Sequence, residues 1–312
     1  MKNSKPLDIK AKPFIKWVGG KGQLLSQIEA ALPNTLSKDP FTYIEPFVGG
    51  GAMLFFMLQK YPNIERVVIN DINRNLTNAY SVVKDNPEKL VDELKNIERE
   101  YLSLTKEEFR KNFYIEKREV FNNEKLNIID KTTLLLFLNR TCFNGLYREN
   151  SKGKFNVPFG RYTNPTICNE ETIYTDSELL NRFNVEILCG DFEKTRSKIN
   201  DNKLTFFYFD PPYRPLSSTS SFNSYVKEDF NDDNQRALAD FCREISAFDN
   251  VKWALSNSDC SAKNSEDNFF EDIYNGFDIQ RVFASRMVNA NANKRGKLTE
   301  LLIKNYMVGV PQ

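Results

Sequence analysis

Apolar and polar residues alternate along this chain with two different periods, and the period changes as the chain advances. "GQLLSQIEAALP" (22–33) has the spacing of an amphipathic helix stopped at Pro33. "FTYIEPF" (41–47) predicts a short strand, "AMLFFMLQK" (52–60) a mostly apolar helix behind a glycine cluster, and "ERVVINDI" (65–72) a second strand. Strand, glycine turn, helix and strand make a βαβ unit, which requires parallel strands and a right-handed crossover. From about Ser81 to Arg140 the periodicity is helical throughout, as in "EKLVDELKNIEREYL", "KEEFRKNFYIEKREVF" and "KTTLLLFLNR". "GKFNVPFG" (153–160) then alternates between turn residues and predicts a hairpin. Beyond Pro165 the mixed pattern returns. "VEILCGD", "LTFFYFD" and "VKWALSNS" read as strands, "DDNQRALADFCREISAF" as a helix, and "FDIQRVFA" with "LTELLIKNY" as an antiparallel pair. The sum is an α/β fold with a mostly parallel sheet. It is divided into a first α/β part (1–82), a helical and hairpin insert (83–164) and a second α/β part (165–312).

Composition narrows the chemistry. The chain has 312 residues, 40% of them hydrophobic, and no histidine. That removes the commonest general base, the commonest zinc ligand and every Ser-His-Asp arrangement. The five cysteines form no C-x-x-C pair. A disulfide framework or a zinc site is therefore not expected, and a reducing compartment is. No secretory signal follows the Lys-rich start, and no apolar run approaches the ~18 residues of a membrane span. The expectation is a soluble cytoplasmic protein without a metal. The net charge of +1 points to no partner, but two segments are locally basic. Arg140 to Arg161 holds five basic residues and one acid; Arg281 to Lys297 holds five and none. Together they can form one charged face.

Four motifs carry the candidate chemistry. "EPFVGGGAM" (45–53) places three glycines between a strand and a helix, where positive φ and a close backbone approach are needed. It is not the dinucleotide fingerprint, which needs glycine at Met53 or Leu54. Asp71 ends the next strand, at the spacing from which an acid accepts hydrogen bonds from ribose hydroxyls. A helix-capping role is the alternative for Asp71. "KWVGGKGQLL" (16–25) resembles a phosphate loop but lacks the first glycine and the Ser or Thr after Lys21. "LTFFYFDPPY" then ends a buried strand in Asp210, Pro211, Pro212 and Tyr213. The prolines fix φ and restrict the residues before them. This produces a rigid acceptor pair, the Asp210 carboxylate and the Pro211 carbonyl, beside the flat ring of Tyr213. Acceptors beside a ring suit a planar substrate that carries an NH₂ group. The long polar run "RPLSSTSSFNSY" (214–225) follows directly.

With "EPFVGGG", "DPPY" and "NRTCFNGLYRENSKGKFNVPFGRY", together with "PFIKWVGGK" and "KRGKLTELLIKNY", the chain resembles the Dam-type DNA adenine methyltransferases from about Pro13 to Tyr306. The resemblance implies a Rossmann-like methyltransferase fold, S-adenosylmethionine as methyl donor, and double-stranded DNA as substrate, methylated at adenine in GATC after base flipping. It places Trp17, Lys21, Phe47, Gly49, Asp71, Asp191, Phe192, Asp210 and Tyr213 around the cofactor pocket. It also places Phe143 as a wedge with Asn144 beside it, Arg148 on guanine, Leu146 and Pro158 on a thymine methyl, and Lys16 at the outer G·C pair. Arg140, Asn150, Asn156, Arg161, Lys294 and Arg295 become phosphate contacts. A cognate restriction endonuclease is an implied partner. An amino-methyltransferase of RNA or protein, and a catalytically silent DNA-binding module, are the alternative functions.

Overall fold

The structure is a computed structural model of the chain, which describes residues 10–22, 24–216, 230–284 and 298–307. Among the described residues seven strands form one sheet. They are β1 (Phe41–Glu45), β2 (Ile64–Asp71), β3 (Glu186–Cys189), β4 (Leu204–Phe209), β5 (Val251–Ser258), β6 (Asp278–Ala284) and β7 (Leu298–Lys304), in the order β3-β2-β1-β4-β5-β7-β6. The first five run parallel, and β7 is antiparallel to both neighbours. This is the Rossmann-like methyltransferase fold the sequence predicts, with an antiparallel pair at one end.

The strands that lie at the centre of the sheet read as nearly continuous apolar runs because both of their faces are covered. Successive residues go to opposite sides. Tyr43, Val67, Ile69, Phe206 and Tyr208 join one core, while Ile44, Val68, Phe207 and Phe209 join the other. Helices α1 (Leu25–Ala30) and α2 (Ala52–Lys60) pack on the first side, together with α3 (Arg74–Asp85), α4 (Pro87–Ser103), α5 (Glu107–Asn123), α6 (Ile128–Thr141) and α7 (Glu170–Arg182). Helices α8 (Asp232–Ile245) and α9 (Phe269–Ile273) cover the second side. Among the described residues no helix is long and apolar enough to cross a membrane.

The helical segment between β2 and β3 has no core separate from the sheet. Leu90, Leu94, Tyr101, Phe113 and Phe137 belong to the same buried cluster as Tyr43 and Val67. Its centre is α6, buried without interruption from Thr132 to Asn139 because neighbouring helices surround it. Asn127 caps α6 by accepting from the Ile129 and Asp130 amides at 3.0 and 2.9 Å.

The segment 142–160 folds back as a hairpin but forms no regular strand. Only isolated bridges join Cys142 to Phe159 and Glu149 to Phe155. Backbone bonds cross it from the Asn150 amide to the Lys154 carbonyl at 2.9 Å and from the Asn156 amide to the Arg148 carbonyl at 3.0 Å, and Asn122 of α5 buttresses it, donating to the Phe155 carbonyl at 2.9 Å and accepting from the Phe155 amide at 2.8 Å. Helix α7 is the one long helix that has no counterpart in the pattern reading. Capping also differs. Asn73 caps α3, accepting from the Asn75 and Leu76 amides, while Asp71 accepts the Asn73 amide one turn earlier.

Candidate active site and DNA interface

Strand order reverses between β1 and β4, so a crevice opens beyond their carboxyl ends. β4 is buried from Thr205 to Phe209 and delivers Asp210 to that edge. The Asp210 carboxylate is 21% exposed, and its Oδ1 lies 2.7 Å from Lys21 Nζ. Lys21 is 4% exposed; it also donates to the Gly19 carbonyl at 3.0 Å and stands 4.5 Å from the centre of the Tyr213 ring. Burial pushes Asp210 up to about 6, and the charge and hydrogen bond of Lys21 pull it back toward the ionised form. Oδ2 and the Pro211 carbonyl have no hydrogen-bond donor among the described residues, and both can accept from a substrate.

The loop after Asp210 is fixed from beneath. Gln235 Nε2 donates to the Pro212 carbonyl at 3.0 Å, and Asn257 Nδ2 donates to Gln235 Oε1 at 3.1 Å. Asn257 Oδ1 accepts the Arg214 amide at 3.2 Å. The guanidinium of Arg214 is anchored to Asp232 and Asp267. The Tyr213 hydroxyl donates to Glu300 Oε2 at 2.7 Å. Burial, with the nearby charges of Asp210 and Glu300, raises this phenol well above its ordinary value and keeps it protonated. Glu300 reaches the site because β7 runs antiparallel, which brings its early residues to the carboxyl edge of β5, opposite Ser258. Glu45, at the end of β1, is buried and accepts from the Tyr43 hydroxyl at 2.7 Å; burial raises its carboxyl well above the usual range.

The glycine turn lies across the same crevice. Gly49 and Gly51 have φ of +50° and +81°. A Cβ on Gly50 would lie 3.0 Å from Trp17 Cβ, and one on Gly51 would lie 2.4 Å from the Tyr80 hydroxyl. The missing side chains thus admit Trp17 and Tyr80, which close over the turn. The Tyr80 hydroxyl donates to the Gly49 carbonyl at 3.0 Å. Asp71 Oδ2 accepts the Gly49 amide at 3.1 Å, and Oδ1 accepts the Asn73 amide at 2.9 Å. Burial raises the Asp71 carboxyl, and these amide bonds lower it. Each oxygen retains a lone pair. Next to it Ile72 is 72% exposed, and Phe47 is half-buried against Phe192 at 5.6 Å between ring centroids. An acceptor beside apolar walls fits a nucleoside-type group. Asp191 is exposed and caps a short turn by accepting the Glu193 amide at 2.9 Å, whereas Phe192 is 5% exposed and belongs to the core. No group of three or more metal-ligating side chains occurs among the described residues. Two surface hollows, lined in part by Glu65, lie away from Asp210; one is at the amino ends of the strands.

The insert presents a second surface. Phe143 is 52% exposed, and its amide donates to the carbonyl of exposed Pro158 at 2.8 Å. Asn144 is exposed with φ +55°, and Leu146 and Arg148 are half-buried beside them. Arg148 donates from Nε to Asn156 Oδ1 at 2.7 Å and from Nη2 to the Asn156 carbonyl at 3.3 Å. Asn150 Oδ1 accepts the Lys152 and Lys154 amides and closes the tip. Arg161 is exposed, with Glu107 3.6 Å away. Lys16 is exposed. Arg140 has part of its guanidinium already engaged within the protein. It is half-buried, and Nη2 donates to the Phe14 carbonyl at 2.7 Å, because the last turn of α6 faces the N-terminal strap. Lys294 and Arg295, and most of the 214–225 run, lie outside the described residues. Trp17 bridges the two surfaces, stacked on Tyr147 at 5.0 Å.

Glu300, Gln235, Asn257 and Tyr147 were not singled out from the sequence. Glu300 carried a weak signal, as an acid inside the apolar run "LTELLIK". The others lacked one.

Residues 17–288 match the family profile described as D12 class N6 adenine-specific DNA methyltransferase. The chain is 48% identical over 302 residues to the Type II methyltransferase M.MjaIII of Methanocaldococcus jannaschii, covering 96% of this chain and 100% of that protein. It is 39% identical to the Type II methyltransferase M1.LlaDCHI of Lactococcus lactis subsp. cremoris, covering 96% of each. It is 34% identical to the DNA adenine methylase of Haemophilus influenzae, covering 94% of this chain and 93% of that one. The chain belongs to the D12 class of N6 adenine-specific DNA methyltransferases.

Proposed function

We propose that this enzyme methylates the exocyclic amino group of adenine in double-stranded GATC, uses S-adenosylmethionine, and flips the target base out of the duplex. The arrangement around Asp210 carries this reading: one carboxylate oxygen is held by Lys21, while the other and the Pro211 carbonyl accept no hydrogen bond from the described residues, with the Tyr213 ring two residues on. S-adenosylmethionine, when bound, supplies a sulfonium methyl already activated by its positive charge. Asp71 would accept its ribose hydroxyls, with Phe47, Phe192 and Asp191 at the adenine side and Trp17 and Gly49 at the edge. Asp210 and the Pro211 carbonyl would accept hydrogen bonds from the adenine amino group. That concentrates lone-pair density on a nitrogen otherwise conjugated into the ring. Tyr213 would stack on the base, with its angle set by the bond to Glu300. Pro212 keeps the loop rigid. Residues that hold both reactants in one crevice would, by alignment alone, lower the barrier by up to ~7–11 kcal/mol.

The 83–164 insert would read the sequence, since a base in a duplex must be extruded before its amino group is reached. Phe143 would fill the gap, with Asn144 beside it. Arg148 would read guanine, Leu146 and Pro158 a thymine methyl, and Lys16 the outer pair. Asn150, Asn156 and Arg161 would contact phosphate and set register. Arg140 would join them through the guanidinium nitrogens not bonded to the Phe14 carbonyl. Two relatives are named Type II methyltransferases, which supports a restriction-modification setting, a cognate endonuclease on the same site, and a cytoplasmic location. Incubating the pure protein with S-adenosylmethionine and mixed-sequence duplex, then sequencing the modified bases, tests the reading. N6-methyladenine confined to GATC is expected. Methylation at another site overturns the specificity, and unmodified DNA overturns the catalytic role.

A further inference from the structure

We propose that Asn139 is a positioning residue for sequence recognition: with Gly145 it forms a seat that aims Lys16, so that the N-terminal strap and the recognition turn read DNA as one unit. This rests on the reading of Lys16 as a base contact. Asn139 lies in the last turn of α6 and is 1% exposed. Its Oδ1 accepts the Lys16 amide at 3.0 Å, and its Nδ2 donates to the Lys16 carbonyl at 2.9 Å. A single side chain 123 residues away thus holds both backbone groups of Lys16, as a neighbouring strand would. The second Nδ2 hydrogen goes to the Gly145 carbonyl at 2.9 Å. The partners fix the amide orientation, since a flipped amide would set its NH₂ against the Lys16 N–H.

Gly145 completes the seat. Its φ is +64°, and a Cβ there would lie 2.4 Å from Lys16 Cδ and 3.1 Å from Lys16 Cβ. The Lys16 stem therefore runs directly over the glycine, and its Nζ stands 5.6 Å from the centre of the Tyr162 ring. A lysine is a point charge on a flexible four-carbon stem, so it discriminates between bases only if that stem is guided. Asn139 fixes the root of the stem, and Gly145 gives it a track. Because Phe143, Asn144 and Leu146 flank the same glycine, the seat also sets Lys16 relative to the wedge.

The test compares kcat/KM on a GATC duplex with kcat/KM on duplexes altered at one base pair each. The proteins are wild type, Lys16→Ala, Asn139→Ala, Gly145→Ala and the Lys16→Ala/Asn139→Ala double variant. Asn139→Ala and Gly145→Ala are expected to lose roughly tenfold of discrimination, at the same pair that Lys16→Ala relaxes and not at the pair read by Arg148. The double variant should relax that pair no further than Lys16→Ala alone. A merely structural role would lower kcat/KM alike on every duplex, and that result, or additive losses in the double variant, overturns the seat. Gly145→Ala decides the matter should Asn139→Ala fail to fold, because its Cβ meets the flexible stem of Lys16. If Lys16→Ala relaxes no pair, the base-contact reading of Lys16 fails and the seat with it. If it relaxes one pair that neither seat variant touches, the seat alone fails.

Discussion

The end of β4 and the recognition turn are both built on short loops, yet they are prepared for their partners differently. After β4 the supporting bonds all come from groups outside the proposed acceptor set: Gln235 on the Pro212 carbonyl, Asn257 on the Arg214 amide, Glu300 on the Tyr213 hydroxyl. The proposed acceptors, Asp210 Oδ2 and the Pro211 carbonyl, receive no hydrogen bond from the described residues. In the turn, the expected reader Arg148 is bonded to Asn156 through Nε and Nη2. On the proposed roles, the chemistry is preorganised, whereas recognition would require a bond within the protein to be exchanged for one to DNA. Preorganisation adds most where charge shifts during reaction. A reader that changes partners adds selectivity, because a wrong base pair fails to replace the lost bond.

The largest expected effect tests the preorganised side. Asp210→Ala should lower the methyl-transfer rate by roughly 100-fold or more while duplex binding persists; an unchanged single-turnover rate would remove Asp210 from the chemistry. Next comes Lys21→Met. In the wild type Asp210 sits at about 6, so its carboxylate is ionised above that pH and the rate should fall as pH drops through it. Without the Lys21 charge the carboxyl titrates at still higher pH, so the acid limb should move upward and the rate at neutral pH should drop by at least about tenfold. A limb that stays in place would contradict the pairing. The stability contribution of Asp210 has the opposite sense: its folded-state value is raised, so the contribution is full below the unfolded value near 3.8 and is lost as pH rises through about 6.

On the recognition side, Arg148→Ala should cost about 1–3 kcal/mol of discrimination at one base pair, measured as a ratio of kcat/KM values. Uniform loss on every duplex would mean that Arg148 supports the fold and reads nothing. Tyr213→Phe keeps the stacking ring and loses only the Glu300 bond, so the rate should fall by about 1 kcal/mol; a loss as large as that of Tyr213→Ala would give the hydroxyl a chemical role. The smallest effect is expected from Asn156→Ala. The substitution removes the Nε bond of Arg148 and leaves its bond to the Asn156 carbonyl, so affinity should change by less than ~1 kcal/mol, with weaker selectivity. Selectivity equal to wild type would show that the resting bond contributes nothing, and the contrast between the two loops would collapse.

Much of the frame was legible before the structure. "FTYIE" and "LTFFYF" were legible as strands, and the glycine cluster and Asp71 were placed at strand ends by spacing alone. Helix α7 escaped because Thr172, Asp176 and Ser177, all buried, interrupt its apolar stripe with polar residues. The hairpin was legible as a reversal but not as bridges held by asparagine side chains. The bond from Arg140 to the Phe14 carbonyl was not legible either, because a cation in a basic segment reads as a solvated charge until the chain it faces is known.

What the sequence determined on its own is periodic or local. Two faces per strand, a parallel βαβ order, and a proline-stiffened acid at the end of β4 all follow from side-chain alternation and φ restriction within a few residues. The tertiary structure decided the pairings between distant segments. Tyr213 meets Glu300 across 87 positions and Lys16 meets Asn139 across 123, and Lys21 is folded back onto Asp210. No local rule selects these partners. They arise because strand order brings particular chain ends to one edge of the sheet, where burial leaves each polar group only the partner that packing supplies.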